Sequence, residues 1–384
     1  MAGMAAALAL TRRGHSVTIL EAFDVARPVG SGLLLQPSGL AALRALGLED
    51  EARELGASVS RLEGQDLAGR RLMAMAYDSW RPGATGVGIH RASLFGILHR
   101  AVLAAGIEIR THARIVSFDR LNDPVLHDEA GGAHGPYDLV VVADGSASTL
   151  RARVRPRARA PLYPWGAVWA NATDPDGRFA GTLSQRYEAA SMMTGILPIG
   201  TGPDGEGNQV SVFWSTPRAE IEALLASDIT VWRKRLIGLW PEGEPIFSQF
   251  TSWAQFAPAT YRDVSVGTWS NGAFVLIGDA AHGTSPQLGQ GANLGLIDAV
   301  ELAERIETPP QLFGYQLARR LQTAPYQLAS RALTPLFQSK GWIGPLIRAW
   351  LFAPLAQAPG LRRIAALFLT GVFRFGPTPK VLKP

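Results

Sequence analysis

Residues 278–293 read Gly278-Asp279-Ala280-Ala281-His282-Gly283-Thr284-Ser285-Pro286-Gln287-Leu288-Gly289-Gln290-Gly291-Ala292-Asn293. Before them stand 273–277, five apolar residues without polar alternation, the pattern of a strand buried on both faces. After them 292–306 repeats its apolar residues with helical spacing. A buried strand thus delivers a carboxylate, Asp279, to its end. A Pro/Gly-constrained loop follows and opens a helix whose first amides face the same crevice. Gly289 and Gly291 let the backbone come close to a flat ligand. No ordinary turn requires this many special positions in one run, so the chain reads as α/β with a parallel sheet.

Two other stretches extend that reading. Residues 139–143 are a second continuous apolar run, followed by Asp144-Gly145-Ser146-Ala147-Ser148-Thr149-Leu150-Arg151. This is a tight turn into a helix, whose backbone donors and Arg151 guanidinium could meet a diphosphate or simply make the turn. At the start, 2–13 is an Ala-rich helix stopped by Gly14, and 16–20 is a short strand ending at Glu21, the second half of a βαβ unit. In a dinucleotide fold a carboxylate in that position accepts hydrogen bonds from a ribose. Helices are also expected at 40–46 and 94–105, and strands at 107–111 and 115–118. From about 160 to 260 short β-prone runs (166–171, 209–214, 245–256) alternate with turn clusters around one helix at 219–240, an α+β insertion. Thr308-Pro309-Pro310 marks a boundary, and the remainder reads as helical.

On these three runs the chain resembles the FAD-dependent monooxygenases of the aromatic-hydroxylase type, the p-hydroxybenzoate hydroxylase-like family. The resemblance runs in order from residue 1 to about 306, and is less specific through 330–338. It implies that Gly278, Asp279, Pro286, Gly289, Gly291, Ala292 and Asn293 form the family's Gly-Asp motif, with Asp279 at the ribityl chain and the loop under the isoalloxazine. Asp144, Gly145, Ser148 and Arg151 match its Asp-Gly motif, associated with FAD and NAD(P)H. By the same resemblance Glu21 binds ribose, Arg91 in His90-Arg91-Ala92-Ser93-Leu94 sits near the FAD phosphates, and Gln36 faces the flavin. Of the family's Gly-x-Gly-x-x-Gly only the last glycine is present, as Gly3. The strand before it and the first two glycines are missing, and Met1 falls where the family has an aliphatic residue. The expectation is therefore an internal start codon.

The implied architecture is a discontinuous Rossmann-like FAD-binding domain (1–70, 91–155 and 264–308), an α+β substrate domain (71–90 and 156–263) and a C-terminal helical region (309–384). The implied activity is that of an oxidoreductase. NADH or NADPH reduces FAD, O2 adds to give a flavin C4a-hydroperoxide, and one oxygen passes to an aromatic or other electron-rich small molecule. In such chemistry the cofactor does the bond-making, so a catalytic acid–base pair is not required; Pro286 and His282 are the residues expected nearest the flavin. Two alternatives are an epoxidase or lipophilic-substrate hydroxylase at a membrane surface, and a cofactor-free remnant of the fold. A flavin halogenase is set aside because Trp165-Gly166-Ala167-Val168-Trp169 is not a Trp-x-Trp-x-Ile-Pro run.

Composition narrows the chemistry further. The 384 residues are 47% hydrophobic and 18% charged and contain no cysteine, which excludes disorder, disulfides, thiol nucleophiles and Cys-ligated metals. The seven histidines offer no metal-ligand spacing, so no metal site is expected. Ser146 and Ser148 lack a nucleophile elbow. The net charge of +5 is uneven: ten Lys or Arg and no acidic residue follow Glu307, leaving −5 on residues 1–307. That basic tail reads as a solvated face, or as a peripheral contact with an anionic membrane in which Ile364, Leu367, Phe368 and Phe373 insert. Packing on the FAD domain or on a second subunit, a homodimer contact, is the other expectation for it, and nucleic acid is not expected. The longest charge-free run in the tail, 349–361, has 13 residues and two prolines, too short to span a bilayer. Residues 1–10 are apolar, but Arg12-Arg13 follow them, so a helix is expected there and not a secretory signal; the location expected is cytoplasmic. Trp165, Trp169, Tyr187, Met192, Met193, Trp214 and Trp253 are expected to divide between sheet core and the wall of an apolar substrate pocket.

Overall fold

The computed structural model describes residues 1–24, 31–306, 312–341, 343–348, 358–376 and 378–382. Helix α1 (Ala2–Thr11) is apolar on every side, and residues 4–10 are all buried, as a helix sealed inside a core must be. Gly14, at φ +85°, turns the chain out of it into β1 (Thr18–Leu20). The elements that position the site follow in order: β2 (Gly32–Leu35), α2 (Pro37–Ala45), β3 (Ala57–Asp66), β4 (Arg71–Ala76), β5 (Gly86–His90), α3 (Arg91–Ala104), β6 (Glu108–Arg110) and β7 (Val140–Val142). Then come β8 (Leu162–Thr173), β9 (Gly181–Glu188), β10 (Met192–Thr201), β11 (Asn208–Pro217), β12 (Ala257–Arg262), β13 (Ser270–Asn271), β14 (Phe274–Leu276), α4 (Gly291–Arg305), α5 (Phe313–Phe337) and α6 (Pro359–Leu369).

The parallel sheet is in two pieces. β1 pairs with β6, Thr18 opposite Glu108, and β7 pairs with β14, Val140 opposite Phe274, with β13 added antiparallel. Among the described residues no strand joins the pieces. Helix α1 packs close to β7, where Gly3 is so near Ala143 that an added Cβ would meet the Ala143 Cβ at 3.2 Å. Both pieces share one apolar core with α1, α2, α3 and α4.

The second layer is a nine-stranded sheet in the order β12-β8-β11-β10-β9-β3-β5-β2, with β4 on β3. Only β9 and β3 run parallel. β2 and β3 lie within the stretch 1–70, yet their backbone hydrogen bonds go to β5 and β9, so the two layers are joined through this sheet. The pleat divides its large side chains. Met192 and Trp214 point to an outer cluster with Trp232, Trp240, Phe247 and Phe250. Tyr187, Met193 and Phe213 point the other way, toward Trp169 and Phe337.

Two expectations for the insertion are corrected. Residues 245–256 are not a strand: Glu244–Phe247 is a helical turn with Pro245 at its start, and Trp253–Gln255 is a 3-10 turn closed by a Ser252–Gln255 capping box. The aromatic residues that looked β-prone are there to fill the outer cluster. The single helix expected at 219–240 is two, Ile221–Leu225 and Ile229–Leu239, because Asp228 caps the second by accepting the Thr230 N–H at 2.7 Å.

The C-terminal region is helical and docked. α5 runs for 25 residues with Pro325 and Pro335 inside it. Phe368 stacks on Phe373 at 4.2 Å and meets Tyr326 at 5.2 Å, so two of the four side chains expected to enter a membrane pack within the protein, while Ile364 is 44% exposed. No helix among the described residues is long and apolar enough to cross a membrane.

Candidate functional site

The N-termini of α1 and α4 and the strand ends of β1 and β14 meet at one place. Gly278 ends β14 at φ +56°, and a Cβ there would lie 3.2 Å from the Ala2 Cβ; one on Gly295 would lie 3.4 Å from it. Strand end and both helices therefore approach as closely as glycine permits. Neither helix has a side-chain N-cap, so their first amides are left for a ligand or solvent. The α-amino group of Met1 reports what surrounds this point. Burial pushes its pKa down, Arg91 adds to that, and Glu21 and Asp279 oppose it. Glu21, Arg91 and Asp279, far apart in sequence, are thus brought together.

Each is placed by local structure. Glu21 continues β1, its N–H donating to Arg110 O at 2.9 Å and its Oε1 accepting the Phe23 N–H at 3.1 Å. His90 ends β5 and caps α3 through Nδ1, which accepts the Ala92 N–H at 3.1 Å; Arg91 is therefore the first helical residue. It is half-buried and forms no salt bridge among the described residues. Asp279 is exposed, beside Gly291 at the start of α4. An unpaired guanidinium beside two open helix N-termini suits a diphosphate, and carboxylates on either side suit hydroxyl groups. The donor set fits FAD.

The loop from Gly278 to α4 is held by buried amides. Asn293 accepts the Gln36 N–H through Oδ1 at 2.8 Å and donates through Nδ2 to Leu34 O at 3.0 Å and Gly289 O at 3.1 Å. It ties β2 and the start of α2 to the loop, a positioning role. Gln36 is fully buried; its Oε1 accepts from Tyr77, while its Nε2 has no partner. Gly289, at φ +61°, has open space where a Cβ would stand, and Pro286 begins a 3-10 turn. Ala292 follows Gly291 in the first turn of α4.

Two of the expected residues face the protein. Arg151 donates through Nη1 to Ala280 O at 3.2 Å and through Nη2 to Ser146 O at 2.8 Å, and its N–H bonds Ser148 Oγ at 3.0 Å. It ties the turn at Asp144 and Gly145 to the Gly278 loop. Burial raises the Asp144 carboxyl, against the bond from Ser148. His282 is buried against Trp269, and its Nε2 lies 2.6 Å from Asp298 Oδ2. A carboxylate only accepts, so that nitrogen carries the proton. Asp298 also accepts the Gly278 N–H at 2.7 Å and Arg319 Nε at 2.7 Å. Burial acts to raise the Asp298 carboxyl, but His282 and Arg319 outweigh it and hold it below the usual range.

Arg319 is a residue that sequence reasoning missed, counted only as one of the tail's charges. The available signal was spacing: Tyr315, Arg319, Gln322 and Tyr326 recur along one helical face of α5 and all are buried.

Facing the loop is the inner side of the nine-stranded sheet. Trp169 packs on Phe213 at 4.8 Å and donates through Nε1 to Tyr261 Oη at 3.3 Å. Burial raises the Tyr261 hydroxyl, while the Arg91 charge acts to lower it. A cavity of about 470 Å³ lies instead on the outer side, against Trp214, Trp232 and Arg235, away from Glu21, Arg91 and Asp279. Converging charges single out the place described here.

Comparison with known proteins gives the family. The curated 3-hydroxybenzoate 6-hydroxylase of Polaromonas naphthalenivorans (strain CJ2) is 28% identical over 358 residues, covering 88% of this chain and 86% of that protein. The 6-hydroxynicotinate 3-monooxygenase of Bordetella bronchiseptica is 28% identical over 327 residues, 80% of each chain. Among solved structures, Klebsiella pneumoniae HpxO complexed with FAD and uric acid shares the fold, with a TM-score of 0.78 at 18% identity over 95% of this chain and 94% of that one. The model of the FAD binding domain family matches residues 1–309, a span that holds Glu21, Arg91, Asp279 and both helix N-termini, and the chain belongs to that family.

Proposed function

We propose that the chain is an FAD-dependent monooxygenase that hydroxylates a small aromatic molecule with O2, drawing electrons from NADH or NADPH. The observation that carries this reading is the unpaired Arg91 set between the open N-terminus of α1 and the carboxylates of Glu21 and Asp279. In this reading Arg91 and the α1 amides hold the diphosphate, Glu21 the adenosine ribose, and Asp279 the ribityl hydroxyls. The amides after Gly289 and the unpartnered Gln36 Nε2 face the isoalloxazine. Bound flavin supplies reductive activation of O2, chemistry no side chain here can perform.

The chain's own residues bind, orient and exclude water. Trp169, Phe213 and Met193 make an apolar wall on which an aromatic ring lies flat. Tyr261 keeps its proton, because burial favours the neutral phenol. His282 holds its proton on Nε2 against Asp298, which fixes the Gly278 loop and takes His282 out of proton transfer. The relatives' names support the reaction class, since two of them are hydroxylases or monooxygenases of aromatic acids.

An absorbance titration of the 384-residue chain with FAD tests the reading. Saturable binding with a perturbed flavin spectrum is expected, and Arg91→Met is expected to weaken it about 10-fold or more by removing a charge-assisted contact. Aromatic compounds are then expected to stimulate NADH or NADPH oxidation. Absence of saturable FAD binding overturns the reading.

A further inference from the structure

The cavity of about 470 Å³ on the outer side of the nine-stranded sheet plays no part in the flavin site. Its size lies within the roughly 300–1,000 Å³ usual for small-molecule sites. Trp165 of β8 and Trp214 of β11 form one wall. Ala223, Trp232 and Arg235, on the helices Ile221–Leu225 and Ile229–Leu239, form the other, and Lys340 stands at the rim. Trp214 and Trp232 meet nearly edge to face, with ring centroids 5.7 Å apart. All three tryptophans are more than nine-tenths buried.

Two features of the lining say what it takes. The first is a surplus of donors. Trp232 Nε1 is sealed from solvent and has no acceptor, and the indoles of Trp165 and Trp214 donate to nothing among the described residues. An indole N–H only donates, and leaving such a group unmade inside a protein is costly. A ligand oxygen or ring nitrogen answers that need, while a flat ring packs against the indoles. The second is charge balance, since both cations are already matched. Arg235 Nη2 donates to Glu188 Oε2 at 2.6 Å, and its guanidinium lies 5.4 Å from the Trp214 centroid. Lys340 Nζ donates to Glu220 Oε1 at 2.7 Å. An anion would have to take one of these cations from its carboxylate, and a cation would have to take a carboxylate from its partner.

We propose that this cavity is a second small-molecule site, and that its ligand is an uncharged, flat aromatic compound carrying a carbonyl or ring-nitrogen acceptor. The ring lies against Trp165 and Trp214, and the acceptor takes an indole N–H. The proposal does not depend on the monooxygenase reading, because none of the lining residues belongs to the set that fits FAD.

The test uses three compounds of one shape: 9-fluorenone, fluorene, which lacks the acceptor, and 9-fluorenone-2-carboxylate, which adds a charge. Binding to the full chain is read by calorimetric titration, with and without FAD, and FAD affinity is measured in parallel. The ketone is expected to bind about 10-fold more tightly than the hydrocarbon and than the carboxylate, equally well with FAD present. Ala223 is exposed at the lining, so Ala223→Trp fills the cavity from its rim. That variant is expected to weaken fluorenone at least 10-fold while leaving FAD affinity within about twofold. Should it not melt cooperatively, Ala223→Arg takes its place, with the same expectation. Absence of fluorenone binding, fluorene or the carboxylate binding as tightly as the ketone, competition between fluorenone and FAD, or affinity undiminished when the cavity is filled overturns the proposal.

Discussion

Two aspartates, one sealed in the interior and one at an exposed turn, show how environment acts on one residue type. Asp298 is fully buried but meets Arg319 and His282, and is held below the usual carboxylate range; Asp144 stands at an exposed turn, where partial desolvation by the surrounding chain raises its carboxyl against its hydrogen bonds and solvent screens the effect. A depressed carboxyl contributes stability at neutral pH that is lost as pH falls from about 4 through its folded value. Asp298→Asn leaves the fully buried Arg319 without its partner, so a loss of about 3–5 kcal/mol is expected in thermal or denaturant unfolding at pH 7, and the gap between variant and wild type is expected to narrow below about pH 4. Asp144 carries the other sign: its raised pKa is a penalty that sets in as pH rises through the folded value, and its exposure to solvent keeps that penalty small. Asp144→Asn is therefore expected to change stability at pH 7 by less than about 1 kcal/mol or to increase it. Equal losses in the two variants would contradict the electrostatic account. A charge count sees none of this, because Arg319 and Arg348 are indistinguishable in sequence from the solvated Arg362 and Arg363.

At the scale of elements, the loop from β14 to α4 is built around glycines that differ in what surrounds them. Gly278 and Gly289 both have positive φ, at +56° and +61°. A Cβ on Gly278 would press on Ala2 at 3.2 Å, whereas one on Gly289 would meet nothing within 4 Å. Gly289→Ala is expected to cost about 1 kcal/mol, the backbone term alone, and Gly278→Ala about 2–3 kcal/mol with a weakened FAD titration, since α1 must move from the strand end. Equal effects would mean that the approach of α1 is not tight. This loop was the most legible part of the chain because its constraints are backbone constraints, which glycine and proline write into sequence. Helix α1, β1, β7 and β14 were legible for a related reason, apolar runs of the right length. Residues 245–256 were not, since Phe247, Phe250 and Phe256 would suit a strand or a turn equally, and only the outer cluster they fill decides. Asp228 was likewise an available cap inside a periodic stretch, and its side chain broke one helix into two.

Across the whole molecule, the family resemblance ends near residue 306 and the family match at 309, yet the loop from β14 to α4 is clasped by residues beyond both. Arg319 holds Asp298, Gln290 Nε2 donates to Leu369 O at 2.7 Å and Phe368 O at 3.0 Å, and Gln322 Nε2 donates to Gly371 O at 2.8 Å. The Ser38 N–H donates to Thr370 O at 3.1 Å, so the start of α2 is included. A composition that set a basic tail against an acidic body pointed to separable parts. The hydrogen bonds argue for one cooperative unit, because all but the Gln322–Gly371 bond cross from the tail to the start of α2 or to α4 and the residue before it, inside the protein, where an unmade bond costs most. A chain ended after residue 308 is therefore expected to lose its cooperative melt and its FAD binding together, read by tryptophan fluorescence and by titration. Two results would count against this: a truncated chain that melts cooperatively and keeps FAD affinity within about twofold, or a full-length chain that unfolds in two separate transitions, tail first. Either would make the tail an appendage and return its charge to the surface role its composition suggested.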